Sequence, residues 1–131
     1  MRGNVVFDTS VVIDPAGVDL GDLAGAVPVV TAVTVAELAY GLDVEDPAER
    51  LVRAERLDSL LRRTEVLPFD LAAAKLYGTL AALARRAGRD PRPRRPDLQI
   101  AATAAANRIP VITRNGKDFA GLERLVRVVE V

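Results

Sequence analysis

A run of apolar residues, Val5-Val6-Phe7, stops abruptly at Asp8-Thr9-Ser10, and no other stretch restricts the fold as much. A short apolar segment with β-branched residues, bounded by polar ones, reads as a strand buried on both faces, as in a parallel sheet. Open α/β sheets bind ligands just past the carboxyl ends of their strands, which puts Asp8 at the lip of the sheet. The plainer account is that Asp8 or Ser10 caps the helix that follows.

The rest of the chain repeats the alternation. A helical turn over 10–14 is stopped by Pro15 and Gly17, and a second short helix is expected over 19–26. Residues 27–32 are apolar and β-branched, a second strand, and Thr34 opens a helix to about Leu42. Pro47 suits the first position of a long helix with Leu51, Ala54, Leu57, Leu60 and Leu61 at helical spacing. Residues 66–69 form a short strand with Pro68 at an edge or end. Asp70 caps a helix that ends at Gly88. Residues 89–96 hold three prolines and four arginines and are expected to be a loop. A helix of small side chains follows over 97–107, then a buried strand over 110–113, a helical turn over 117–122 and an edge strand over 125–131. Strands alternating with helices predict a parallel sheet covered on both faces.

At 131 residues, half of them hydrophobic, the chain is long enough for one domain with a sizeable core and too apolar for disorder. No apolar run approaches the roughly 18 residues that span a bilayer, and the N-terminal run is too short for a signal peptide. A cytoplasmic protein is therefore expected. Cysteine and histidine are absent. That removes disulfides, thiolate nucleophiles, zinc fingers and the histidine base of a serine triad. Carboxylates remain to do difficult chemistry, with or without a hard cation.

Asp8, Glu37, Asp97 and Asp118 stand at strand ends or in first helical turns, embedded in apolar sequence. In a parallel α/β fold those places share one edge, so four distant acids would converge. Converging acids repel unless a cation neutralises them, and oxygen-only ligands suit Mg²⁺ or Mn²⁺. Such a site activates water and stabilises charge on a phosphoryl group. Each acid also has a plainer account. Thr34-Val35-Ala36-Glu37 has the pattern of a capping box, Asp97 after Pro96 would complement a helix dipole, and Asp118 would cap the turn at Phe119.

Net charge is zero, with 18 basic and 18 acidic residues, and says nothing about a polyanionic partner. Distribution says more. Arg85, Arg86, Arg89, Arg92, Arg94 and Arg95 crowd into eleven residues, opposed locally only by Asp90. A charge run is usually a solvated face, yet Arg92, Arg94 and Arg95 immediately precede Asp97. Cations beside an acidic site fit capture of a nucleic-acid backbone.

Four blocks resemble the PIN-domain ribonucleases, and within them the VapC-type toxins of toxin–antitoxin pairs. They are Val6-Phe7-Asp8-Thr9-Ser10-Val11-Val12-Ile13-Asp14, Thr34-Val35-Ala36-Glu37-Leu38, Pro96-Asp97-Leu98-Gln99-Ile100-Ala101-Ala102-Thr103-Ala104 and Val111-Ile112-Thr113-Arg114-Asn115-Gly116-Lys117-Asp118-Phe119. The resemblance covers essentially the whole chain, in order. It implies a single PIN domain over 1–131, a three-layer α/β/α sandwich around a mostly parallel sheet. It further implies a Mg²⁺- or Mn²⁺-dependent endoribonuclease with Asp8, Glu37 and Asp97 as core acids and Asp118 completing the quartet. By position, Thr9, Ser10, Thr113 and Asn115 would support the site by hydrogen bonding. Family members are usually homodimers, held inactive by a small antitoxin protein, and cut structured RNA such as tRNA or ribosomal RNA. Two features depart from the family pattern, Pro15 directly after the first helical turn and the stiff, basic approach to Asp97.

Two other classes fit less well. A catalytically silent module of the same fold that docks RNA or a protein would not need all four acids. Phospho-acceptor domains of the receiver class and haloacid-dehalogenase-type phosphatases want a second acid near Asp8, where Thr9 and Ser10 stand instead.

Overall fold

A computed structural model describes residues 3–131; the first two residues of the expected domain lie outside it. The sheet has five strands in the order β3-β2-β1-β4-β5. These are β1 Asn4–Phe7, β2 Val27–Thr31, β3 Val66–Leu67, β4 Val111–Thr113 and β5 Val128–Glu130. Every pairing is parallel. The helices are α1 Thr9–Ile13, α2 Ala32–Tyr40, α3 Pro47–Arg63, α4 Leu71–Arg86 and α5 Arg95–Ala106. Together they make the expected three-layer α/β/α arrangement.

Side-chain alternation along the strands divides the core in two. Val6 and Val111 face one side, where Leu80 and Ala84 of α4 and Leu98 and Ile100 of α5 pack on them with Phe119 and Leu122. Val5 and Ile112, their neighbours in sequence, face the other side and meet Val11 of α1. Fully burying a Leu, Ile or Phe contributes roughly 1.5–3 kcal/mol, so the α4–α5 face carries most of the apolar stabilisation. The alanines at 101, 102 and 104 are completely buried. Their small size lets α5 lie close against both α4 and the sheet.

Several boundaries differ from the sequence expectation. Only a single 3-10 turn, Gly21–Leu23, forms within 19–26. Helix α2 begins two residues early because β2 runs straight into it, with Thr31 as the cap accepting from the Thr34 N–H at 3.4 Å. The basic segment is not wholly irregular. Arg92–Arg94 form a 3-10 turn and α5 starts at Arg95, with Pro96 in its first turn, where the missing N–H costs nothing. The strands at 66–69 and 125–131 shrink to Val66–Leu67 and Val128–Glu130, both at sheet edges.

Helix α3 buries none of its side chains completely. A groove of about 350 Å³ separates it from β1 and α1, lined by Phe7, Val12, Pro15, Pro28 and Leu60. Ile13, Leu51 and Val52 nearby are each about half exposed. No helix among the described residues is long and apolar enough to cross a membrane.

Candidate active site

Asp8 directly follows β1 and is buried, with 4% of its surface exposed. Its Oδ1 caps α1, accepting from the Val11 N–H at 3.2 Å, so the plainer account of this residue is true as far as it goes. A cap does not require two further hydroxyls, however. Ser10 Oγ donates to Oδ1 and Thr113 Oγ1 donates to Oδ2, both at 2.6 Å. Ser10 is itself fixed by the Arg114 N–H at 3.0 Å. Arg114 then clasps the carbonyls of Asp14 and Ala16, on either side of Pro15, each at 2.7 Å. The strand end, the first helix and the loop after it are thereby tied to one carboxylate.

Glu37 is not the acid of a capping box. Thr34 lies inside α2 rather than at its cap, and the cap is Thr31. Residues three apart share a helix face, and from that face Glu37 Oε1 accepts a hydrogen bond from Thr9 Oγ1 at 2.7 Å. The Thr9 hydroxyl is 3.0 Å from that of Thr34. Because Thr9 spends its proton on Glu37, the Thr34 hydroxyl must be the donor in that second bond.

Asp97 sits in the first turn of α5. A helix dipole alone would lower its pKa. Instead its carboxyl is pushed up from the usual carboxylate value to about 6. Burial is the largest cause, followed by repulsion from Asp118, Asp8 and Glu37, while Arg94 opposes the shift. The dipole account therefore loses to desolvation and like charge. Three acids from separate parts of the chain are thus within electrostatic reach of Asp97 at this edge of the sheet.

They do not meet at a common point. Among the described residues no three acidic side chains lie close enough together to form a ready cation cage. Each acid other than Asp97 is turned toward its own partner: Asp8 to Ser10 and Thr113, Glu37 to Thr9, and Asp118 to Arg94 at 3.3 Å. Asp118 is part of a 3-10 turn, Gly116–Phe119, that has no side-chain cap, so it is not the cap of that turn. Asn115 contributes only its backbone, an N–H to Thr113 Oγ1 at 3.0 Å.

The basic segment splits as well. Arg92 is folded onto Asp90 through Nε, Nη2 and its backbone N–H. Those bonds hold the Asp90 carboxyl below its usual value. Arg94 turns into the acids, and Arg95 is exposed. Thr34, read from the sequence as a helix cap, and Arg114 are the two residues of this network that sequence reasoning did not assign to the site. A hydroxyl at i−3 from Glu37 was a usable signal for the first. Nothing local marks the second.

The PIN domain profile matches residues 5–125. The chain belongs to the PIN-domain family. Among its relatives is Ribonuclease VapC5 of Mycobacterium tuberculosis, 42% identical over 95 residues that cover 71% of this chain and 67% of that protein. Another is VapC ribonuclease Y4jK of Sinorhizobium fredii, 39% identical over 101 residues, with 71% and 69% covered. Similar solved structures include a member of the VapBC family of toxin–antitoxin systems, VapBC-5 from Mycobacterium tuberculosis. It has a TM-score of 0.78 and 33% identity with both chains covered completely. FitAcB from Neisseria gonorrhoeae gives a TM-score of 0.76 at 28% identity, with 96% of each chain covered. The PIN-domain membership expected from the four sequence blocks is thus established.

Proposed function

We propose that this PIN domain is a divalent-metal-dependent endoribonuclease and the toxin of a toxin–antitoxin pair, acting on structured RNA such as tRNA or ribosomal RNA. The observation that carries the reading is Asp97, whose carboxyl is raised by burial and then by Asp118, Asp8 and Glu37 together. Clustered, mutually repelling acids at the ligand-binding edge of a parallel sheet are what a cation site looks like before the cation arrives. The donor set fits a hard ion, since it is oxygen-only. Asp8 and Asp97 would hold Mg²⁺ or Mn²⁺, with Glu37 and Asp118 completing the set directly or through water. Such an ion, when bound, supplies Lewis acidity at the phosphoryl group and a more acidic water.

The chain's own residues do the rest. Ser10 and the Val11 N–H occupy Oδ1 of Asp8 and Thr113 takes one site on Oδ2, which leaves a lone pair of Oδ2 for a ligand. Thr9 occupies one oxygen of Glu37, so the other is free to orient an attacking water. Arg94 and Arg95 lie at the approach and would meet the phosphate backbone, while Arg92 is engaged by Asp90.

An antitoxin partner is supported by the toxin–antitoxin systems among the structural relatives and by the apolar groove between α1 and α3. That groove would take an apolar segment of another chain. A homodimer in the cytoplasm follows the family pattern.

A catalytically silent module of the same fold has one feature in its favour, the pairing of Asp118 with Arg94. Both readings are separated by incubating the purified chain with total cellular RNA in Mg²⁺, in Mn²⁺ and in chelator, beside Asp8→Asn and Asp97→Asn controls. Discrete metal-dependent fragments absent from the controls support the nuclease, and mapping their ends identifies the target. No cleavage of any RNA under any condition leaves the silent module.

A further inference from the structure

Arg94 alone among the arginines of the basic segment is drawn into the acids. Its Nη1 lies 3.3 Å from Asp118 Oδ1 and 3.4 Å from the Asp118 backbone oxygen. Neither side chain is sealed off, with 27% and 32% of their surfaces exposed. Arg92, two residues earlier, is hydrogen-bonded to Asp90 instead. The 3-10 turn that leads into α5 thus places one guanidinium on the fourth acid of the cluster, three positions before Asp97.

A carboxylate held this way has a competitor for any metal ion, because a guanidinium and a divalent cation on the same oxygens repel. The same guanidinium has an alternative anion. Its planar fork matches a phosphate at least as well as a carboxylate. A partly exposed pair is weak enough to exchange without unfolding anything. We propose that Arg94 is an internal counter-ion, a positioning residue displaced jointly by metal and RNA: the cation takes over Asp118, and the freed guanidinium takes a backbone phosphate. This deepens the nuclease reading and rests on it. Each ligand removes the other's competitor, so the two bind with positive and reciprocal coupling. The arrangement keeps the cluster partly neutralised while empty and completes it only when RNA is present.

The test is a set of Mn²⁺ titrations followed by electron paramagnetic resonance, which needs no cleavage. The chains compared are wild type, R94Q, R92Q, D118N and the R94Q/D118N double variant. R94Q is expected to bind Mn²⁺ roughly three- to tenfold more tightly, the size of a contact-level coupling. R92Q should match wild type, and the gain from R94Q should shrink in the D118N background. R94K, which keeps the charge but loses the planar fork, should fall between wild type and R94Q. An R94Q affinity no tighter than that of R92Q overturns the proposal. So does a gain that persists undiminished beside D118N, since Arg94 would then act as a diffuse charge.

The second arm measures binding of a random-sequence 2′-O-methyl RNA by fluorescence anisotropy at constant ionic strength. Mn²⁺ should tighten RNA binding to wild type and do so much less for R94Q. Equal tightening in both chains overturns the coupling. Metal coupling with no RNA cleavage would overturn the nuclease reading alone, and cleavage without coupling would overturn this one alone.

Discussion

Thr113 Oγ1 donates a 2.6 Å hydrogen bond to Asp8 Oδ2 across 105 positions of sequence, and both residues are buried. The bond joins the ends of β4 and β1, neighbours at the centre of the sheet. It fixes which way the first acid faces. A partner of this kind sets metal affinity without touching the metal.

Thr113→Val keeps the shape and removes the donor. The fold should survive, at a cost of about 1.5–3 kcal/mol for a lost hydrogen bond to a charged group. RNA cleavage and Mn²⁺ affinity should each fall roughly 10- to 100-fold. Thermal unfolding beside a metal titration reads both. Full activity in the variant would mean that Ser10 and the Val11 N–H orient Asp8 unaided.

Thr9 and Thr34 make a graded pair. Thr9→Val strips Glu37 of its donor and leaves the carboxylate free to rotate, so kcat should drop by about an order of magnitude or more with KM little changed. Thr34→Val removes only the outer bond and should cost less. A larger loss at Thr34 than at Thr9 would place the important contact elsewhere on α2.

Asp97 predicts an unusual pH dependence of stability. Its folded pKa, about 6, is raised above the ordinary value of 3.8, so the native state holds this proton more tightly than the unfolded chain. The contribution is favourable at low pH and is lost as pH rises from about 4 through about 6. In chelator, Asp97→Asn should therefore match wild type near the bottom of that window and exceed it above the top. The difference should be on the order of 1–2 kcal/mol, reduced from the full shift because Asp97 still meets water. Mg²⁺ should close the gap by stabilising wild type. Unfolding midpoints at the two ends of the window check it, and a constant offset between the two chains would refute the raised carboxyl at Asp97.

The features legible in the sequence were those written in short periods. The unbroken apolar run Val5-Val6-Phe7 marked a strand buried on both faces, and the apolar runs ending in Asp8 and Thr113 marked the carboxyl edge of the sheet. What the chain does across long separations was not legible. Thr34 looked like a cap because a strand running directly into a helix has no loop residue to betray the join, and Thr31 took that role. The partition of the arginines depended on a turn at 92–94 that three prolines disguised as irregular chain. Arg114 spans about a hundred positions to clasp the loop around Pro15, and no local pattern encodes such a contact.

The same partition predicts an uneven response to salt. If all three of Arg92, Arg94 and Arg95 met phosphates, replacing them would reduce the slope of log K against log salt by about 0.7–0.9 for each. Arg92, however, makes three hydrogen bonds to Asp90, and moving it to a phosphate would give up the two made by its guanidinium. The triple variant should therefore flatten the slope by about two contacts' worth, roughly 1.5, with R92Q alone changing it little. Anisotropy titrations of the 2′-O-methyl RNA over a range of salt concentrations would measure this. A slope that falls by a full three contacts would show that Asp90 releases Arg92 on binding, and an unchanged slope would make the segment a solvated face after all.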